Sequence, residues 1–523
     1  MWSKTNRVLN TIYYLKPIQF FYRGLYLFKS KLTKNLFLKA KNIPQSVKLT
    51  FYKPIAMGKL YEQNEFTFLN RSKYFKQIDW NFSEYGKLWC YNLNYFDFLN
   101  QLDISKGEGF NLINNYIQSK GKLKDGLESY PISLRNINWI KFLSKYGSTN
   151  IIDSFLYGTY LRLTKNLEYH LLGNHLIENG FSLLFGAYYF RDTSLLKQAA
   201  KIVKTELEEQ VLEDGCHFEL SPMYHQVILY RLMDCINLMK HNSWPDNGLY
   251  DFMEQKASKM LGWLAMITFQ NGMIPWVNDS TEGIAPSSQE LFEYAKRLGI
   301  PWKETKLGES GYRMVRRSVY ELFIDVGNIG PDYIPGHAHS DTFNFVLHVN
   351  ASPVIVDTGI STYEKNKRRQ IERSTSSHNT VEVNGRNQSD VWGGFRVGKR
   401  AKIIKLIEKD NEIKSCHDGY EIIGVSVSRT WKYSNDQITI IDEIQGMKES
   451  FMAMAFLHFH PGLTPILKSN TLQVFPVEIS FNGHDSISLK DYYYCEGFNK
   501  TKKARKTEIK FTNNLVCSIK SLH

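Results

Sequence analysis

Thr342–Val349 reads TFNFVLHV and Pro353–Asp357 reads PVIVD, two short apolar runs rich in β-branched and aromatic residues. Runs of this kind, bounded by polar residues, are buried strands. Thr380–Asn384 and Gln437–Ile444 have the same character, with turn chemistry at Asn384-Gly385 and at Ser434-Asn435-Asp436. Many short strands with a turn every ten or so residues point to an antiparallel β-sandwich. Upstream of about Gly308 the apolar period changes to three and four. In Leu171–Phe190 it is carried by Leu172, Leu176, Leu183, Ala187 and Phe190, and Ser194–Leu212, Gln226–Lys240, Tyr250–Gln270 and Gln289–Leu298 also read as helices. Helices first and strands second means two domains of different class, not an alternating α/β sheet. The expected organisation is an aromatic and basic helical segment (1–60), a helical domain (61–305) and a β-sandwich domain (306–523).

The 523 residues carry 65 Lys and Arg against 52 Asp and Glu, a formal charge of +13, together with 32 Phe, 31 Tyr and 10 Trp. With 43% apolar and 22% charged residues the chain is globular and not disordered. Cations plus flat apolar rings suit a polyanion, either nucleic acid or an acidic polysaccharide. No nucleic-acid recognition motif accompanies the charge, which removes the first. The six cysteines form no C-x-x-C pair, so neither a zinc ribbon nor a disulfide scaffold is expected. No run is long and apolar enough for a transmembrane helix. The N-terminal stretch RVLNTIYYLKPIQFFYRGLYLFKSKL (7–32) is broken by Lys16-Pro17 and Arg23, making it a poor signal peptide. It is expected either to pack on the protein or to touch an anionic membrane surface.

Three polar clusters interrupt these apolar patterns. Gly336-His337-Ala338-His339-Ser340-Asp341 opens the β region, and side chains two apart in extended chain point the same way. Asp357 ends a strand, and His378 precedes another; two imidazoles and a carboxylate from strand ends suit a Zn²⁺ site. Asn174, His175 and Glu178 gather at the start of an otherwise apolar helix. Glu219, Tyr224 and His225 flank the start of the next, around Ser221-Pro222.

Taken in order, GNHLIENG (173–180), ELSPMYH (219–225), GHAHSD (336–341), VIVDTG (354–359) and SSHNTVEVNG (376–385) resemble the heparinase II/III family of polysaccharide lyases. The likeness runs from Tyr130 to at least Gln388. It implies an N-terminal (α/α) toroid, a C-terminal antiparallel β-sandwich and a substrate cleft between them. It further implies β-elimination on a uronic-acid-containing acidic polysaccharide. In that chemistry donors must share the charge of the uronate carboxylate before C5 can lose its proton. The resemblance puts Asn174 in this role, with His175 beside it. Tyr224 becomes the main acid and base, and His337 is a second base or the partner on the opposite sugar face.

A free phenol titrates near pH 10, so Tyr224 as a base would require cations such as His225 or His337 to lower it. His175, Glu178, Glu219, His225 and Arg373 are the expected substrate contacts. His339, Asp357 and His378 are the expected ligands of one divalent metal, Zn²⁺, with a supporting role. Tyr363 lies between the last two ligands without a local match that assigns it a role. The +13 excess is expected to gather substrate, and the basic run Asn499–Lys510 to be a solvated hairpin face. Heparan-like, alginate-like and bacterial surface polysaccharides all remain open as substrates. Two rivals stand beside the lyase. A glycoside hydrolase would use Glu178 and Glu219 as a carboxylate pair, and a non-catalytic protein would bind or assemble polysaccharide in the same cleft.

Overall fold

A computed structural model describes residues 4–32, 43–244, 247–446 and 451–522, with the side chains of Lys4 and of 28–32 left aside. The expectation for segment 1–60 therefore falls partly outside the described residues. Its first part forms two helices, Lys4–Tyr13 and Pro17–Leu32. A small three-stranded sheet, Tyr61–Glu62, Glu65–Phe68 and Arg71–Tyr74, precedes the toroid.

The toroid separates inner from outer helices by burial. Ser129–Tyr146, Gly173–Phe190 and Pro222–His241 are buried on nearly every side; in Gly173–Phe190 only His175 is not buried. Such helices are apolar all round because neighbours surround them. Thr193–Gln210 instead buries one stripe, Leu195, Ala199, Ile202, Val203, Glu206 and Leu207, the spacing of an outer helix with one wet face. Inner and outer layers meet closely at glycine: a Cβ on Gly186 would sit 2.5 Å from the Tyr160 ring. The helices of the sequence reading are all present, with ends displaced by a few residues. Ser221 begins the third inner helix at Pro222 because its hydroxyl caps the first turn and proline suits N1.

The β-domain stacks two antiparallel sheets. One has the order Tyr312–Arg316, Tyr320–Asp325, Phe345–Val349, Ser352–Ile355. The other has ten strands and includes the long hairpin Val477–Gly497/Lys500–Ser521. Leu322, Ile324, Phe345 and Leu347 from the first share a core with Val427, Ile440, Ile509 and Phe511 from the second. The expected strand at Thr342 starts only at Phe345. Phe343 adopts φ 70°, and Asn344 N–H turns back to the Asp341 carbonyl. That irregular stretch delivers the polar loop Gly336–Asp341 to the domain junction. The basic run Asn499–Lys510 lies in the hairpin, where Lys503 and Arg505 both pair with Asp491, at 2.7 and 3.0 Å.

Candidate active site

A cavity of about 1290 Å³ lies where the toroid, the β-domain loops and the N-terminal helices meet. Asn174, His175, Glu178 and Tyr224 line it from the toroid, and His337, Tyr363 and Phe395 from the β-domain.

The helix carrying Asn174 starts abruptly, with Leu172 and Gly173 at φ 66° and 58°. A Cβ on Gly173 would stand 2.9 Å from Glu219 Oε1, so glycine alone lets the helix begin against that carboxylate. Glu219 accepts from the Asn174 backbone N–H at 3.3 Å and from its Nδ2 at 3.0 Å. The other Nδ2 hydrogen is directed to His337 Nε2, 3.3 Å away. Glu219 thus holds Asn174 and does not itself line the cavity, contrary to its expected role as a substrate contact.

His337 Nδ1 lies 2.9 Å from Asp279 Oδ2. A carboxylate only accepts, so Nδ1 carries the proton, leaving Nε2 with a lone pair beside Asn174. The Tyr224 ring stacks on this imidazole with centroids 3.9 Å apart, and the Tyr224 hydroxyl accepts from Tyr363 at 3.3 Å. Burial, reinforced by Tyr363, Asp279 and Glu219, pushes the Tyr224 phenol well above its ordinary range.

The cation expected from His225 is absent. One residue on from Tyr224 is about 100° round the helix, and His225 points into the toroid wall. It packs on Trp263 at 4.4 Å and bonds the Met260 carbonyl through Nε2 at 3.0 Å. Burial lowers its pKa to about 3, so it is neutral and away from the cavity. Arg373 is likewise not a substrate contact. It is fully buried, donating to the Ala338 carbonyl at 3.1 and 2.8 Å and to Gly394 at 3.2 Å. It fastens the loop that carries His337 and His339.

Two other polar groups do face the cavity. Burial would lower the pKa of His175, but Glu168, 3.3 Å away, outweighs it with help from Glu219 and Glu178, and the imidazole is raised. Glu178 is buried with neither oxygen hydrogen-bonded. Burial lifts its pKa to about 7 against the pull of Arg231, whose Nε is 3.7 Å away.

Among the described residues, no three His, Cys, Asp or Glu side chains form a group that could hold a metal ion. The three expected ligands are nevertheless neighbours. His339 Nε2 bonds Asp279 Oδ1 at 2.9 Å, and His378 Nδ1 bonds Asp357 Oδ2 at 2.8 Å. Asp357 is further occupied by the Asn344 amide and the Gly359 N–H. The opposite nitrogens, His339 Nδ1 and His378 Nε2, are buried without partners, and the two rings lie 5.3 Å apart.

Residues 137–297 match the family model for the heparinase II/III N-terminus, and residues 300–520 the one for the heparinase II/III-like C-terminal region. The chain belongs to the heparinase II/III family. Among relatives of this heparinase II/III chain, a heparin-sulfate lyase from Bacteroides stercoris is 24% identical over 273 residues, covering 46% of this chain and 40% of the relative. One from Bacteroides thetaiotaomicron is 24% identical over 300 residues, covering 49% and 41%. The matched part is thus well under half the length of these curated relatives. In structure, a heparinase III superposes with a TM-score of 0.63 at 13% identity, covering 96% of this chain and 89% of that one. A heparan sulfate lyase from Pedobacter heparinus gives 0.53 at 16%, covering 88% and 81%. These likenesses establish the toroid-plus-sandwich fold.

Three residues of the heparinase II/III site have no role in the sequence reading. Asp279 is fully buried and receives His337, His339 and both arms of Arg369, one of them at 2.6 Å. Its surroundings, Asn278-Asp279-Ser280-Thr281, read as an ordinary polar turn. Arg369 sits in Lys367-Arg368-Arg369, which reads as a solvated basic run, yet it is completely buried. Tyr363 is one of 31 tyrosines, and only its contact with Tyr224 distinguishes it.

Proposed function

We propose that the protein is a lyase that cuts a uronic-acid-containing acidic polysaccharide by β-elimination. The observation that carries this is the convergence of Asn174, Tyr224 and His337 on one cavity, with His337 Nε2 3.3 Å from the Asn174 amide and the Tyr224 ring stacked on the imidazole. The relatives named heparin-sulfate lyases support the same substrate class. As substrate enters, the Asn174 Nδ2 hydrogen directed at His337 turns to the uronate carboxylate, where with His175 it shares the charge as C5 is deprotonated and leaves His337 Nε2 free. His337 Nε2 accepts the C5 proton, and the C–H electron pair becomes the C4=C5 double bond. The bond from C4 to its glycosidic oxygen breaks, and the Tyr224 hydroxyl protonates that oxygen. Asp279 stabilises the imidazolium that forms, as a carboxylate behind a catalytic histidine does elsewhere. The products are a 4,5-unsaturated uronate and a new reducing end.

The hydrolase reading is disfavoured, since both Glu219 oxygens are engaged by Asn174 and Glu219 does not line the cavity that Glu178 lines. An ultraviolet assay over a panel of acidic polysaccharides tests the proposal. A lyase generates the absorbing unsaturated uronate; reducing ends without that chromophore mean hydrolysis, and neither product means binding alone.

The proposal includes one Zn²⁺, held by His339 and His378 through their two unpartnered buried nitrogens, with Asp357 orienting His378. When bound, such an ion would supply rigidity to the loops beneath His337. Elemental analysis of the purified protein is expected to give about one zinc per chain, falling in His378→Ala with a lower melting temperature on chelation. Metal-free protein with an unaltered melt rejects it.

A further inference from the structure

We propose that the paired N-terminal helices dock the protein on an anionic lipid surface. Lys4–Tyr13 and Pro17–Leu32 lie across the junction of the two domains. Their inward side is anchored at both ends. On the β-domain, Arg7 Nε donates to Asp390 at 2.9 Å and Trp392 Nε1 donates to Thr11 Oγ1 at 3.2 Å. On the toroid, Lys16 pairs with Glu209, and Gln19 Nε2 donates to the Leu171 carbonyl at 3.1 Å. Val8, Thr11, Ile12 and Leu15 complete the inward side by lining the cavity.

The outward side is apolar and wet. Leu9 is 59% exposed, Tyr13 82%, Phe20 48% and Phe21 66%. Single exposed apolar residues need no explanation, but four large ones on two adjoining short helices do. The charge says what covers them. Residues 1–61 hold twelve of the 65 Lys and Arg and none of the 52 Asp and Glu. The remaining 462 residues are left with 53 basic against 52 acidic side chains, so the +13 is almost wholly a property of this end of the chain.

Aromatic and aliphatic side chains on one face of a helix within an acid-free basic segment match the interface of an anionic bilayer. A polysaccharide matches less well. It offers no apolar medium for Leu9 and Phe21, and on the cavity side Arg7 and Lys16 are already neutralised by Asp390 and Glu209. Among the described residues no helix is long and apolar enough to cross a membrane, so the contact is peripheral.

Sedimentation of the full chain with vesicles tests this. Binding to phosphatidylcholine vesicles containing one quarter phosphatidylglycerol is expected, with little binding to phosphatidylcholine alone and loss at high salt. The variant Leu9→Ser/Tyr13→Ser/Phe20→Ser/Phe21→Ser should partition at least about tenfold more weakly, with its melting temperature kept because these side chains face solvent. Phe21→Glu alone should weaken binding in the same direction by repulsion and by lost insertion. The proposal is overturned if phosphatidylglycerol vesicles are not bound at low salt, or if the substitutions leave vesicle binding intact. It is equally overturned if they weaken capture of a soluble acidic polysaccharide and leave vesicle binding unchanged.

Discussion

Tyr224→Phe is expected to lower turnover by about 10²–10⁴-fold, the range a positioned acid or base contributes, with little change in KM. Phenylalanine keeps the ring that stacks on His337 at 3.9 Å and removes only the hydroxyl. The fold should survive, since the hydrogen bond lost is the one from the Tyr363 hydroxyl. The pH profile distinguishes the two roles the sequence left open for Tyr224. Burial and the neighbouring Tyr363, Asp279 and Glu219 raise its pKa, so it keeps its proton through the neutral and mildly alkaline range. As an acid it therefore contributes no loss of kcat/KM below about pH 10. Were it the base, the rate would climb with pH as the phenol ionised. Full activity in the phenylalanine variant would remove Tyr224 from the mechanism, and a rate rising steadily to high pH would make it the base in place of His337.

Asp279→Asn should cost about 3–5 kcal/mol, because it strands the buried Arg369 guanidinium opposite a neutral amide. Turnover should fall as well. An asparagine in the same place accepts at one atom and donates at the other, so the proton on His337 Nδ1 is no longer guaranteed and Nε2 loses its fixed lone pair. Denaturant melts of both proteins across pH check the energetic part. Burial alone would raise the Asp279 carboxyl, yet Arg369, His337 and His339 outweigh it and hold it well below its ordinary 3.8.

A depressed carboxyl stabilises the fold fully above its unfolded value and loses that contribution as pH falls through the folded value. The gap between wild type and variant should thus be widest near neutral pH and narrow progressively below about pH 4. Asp279→Asn/Arg369→Met should recover much of the stability, since an apolar side chain strands no charge. It should not recover the turnover. Equal stability of wild type and Asp279→Asn at pH 7 would refute the buried hub.

The same pairings explain where reading the chain worked. Periodicity is a local property, so helices such as Gly173–Phe190 and strands such as Gln437–Gly446 were legible to within a few residues. So was the change of class near residue 308, and with it the order of domains. Residue-type motifs also brought Asn174, Tyr224 and His337 to notice, and all three line one cavity.

Their neighbours misled for a physical reason. His225 adjoins Tyr224 in sequence, but a helix turns it into the wall against Trp263, where burial keeps it neutral. Arg373 reads as a substrate contact, yet its guanidinium is spent on backbone carbonyls behind the His337 loop. Net charge misled most, because the +13 is concentrated in residues 1–61 while the cavity itself mixes Glu178 with Arg231 and His175 with Glu168.

By itself, then, the sequence determined the class and order of the domains, the family motifs, and which residues have the chemistry for an elimination. Only the tertiary structure decided the state in which those residues meet. Asp279 and Arg369 are 90 positions apart, and neither looks buried until the other is placed beside it. A carboxylate, a guanidinium and two imidazoles are tolerated in a dry junction only as a mutually paired set. That pairing sets the proton on His337, and no run of neighbouring residues encodes it.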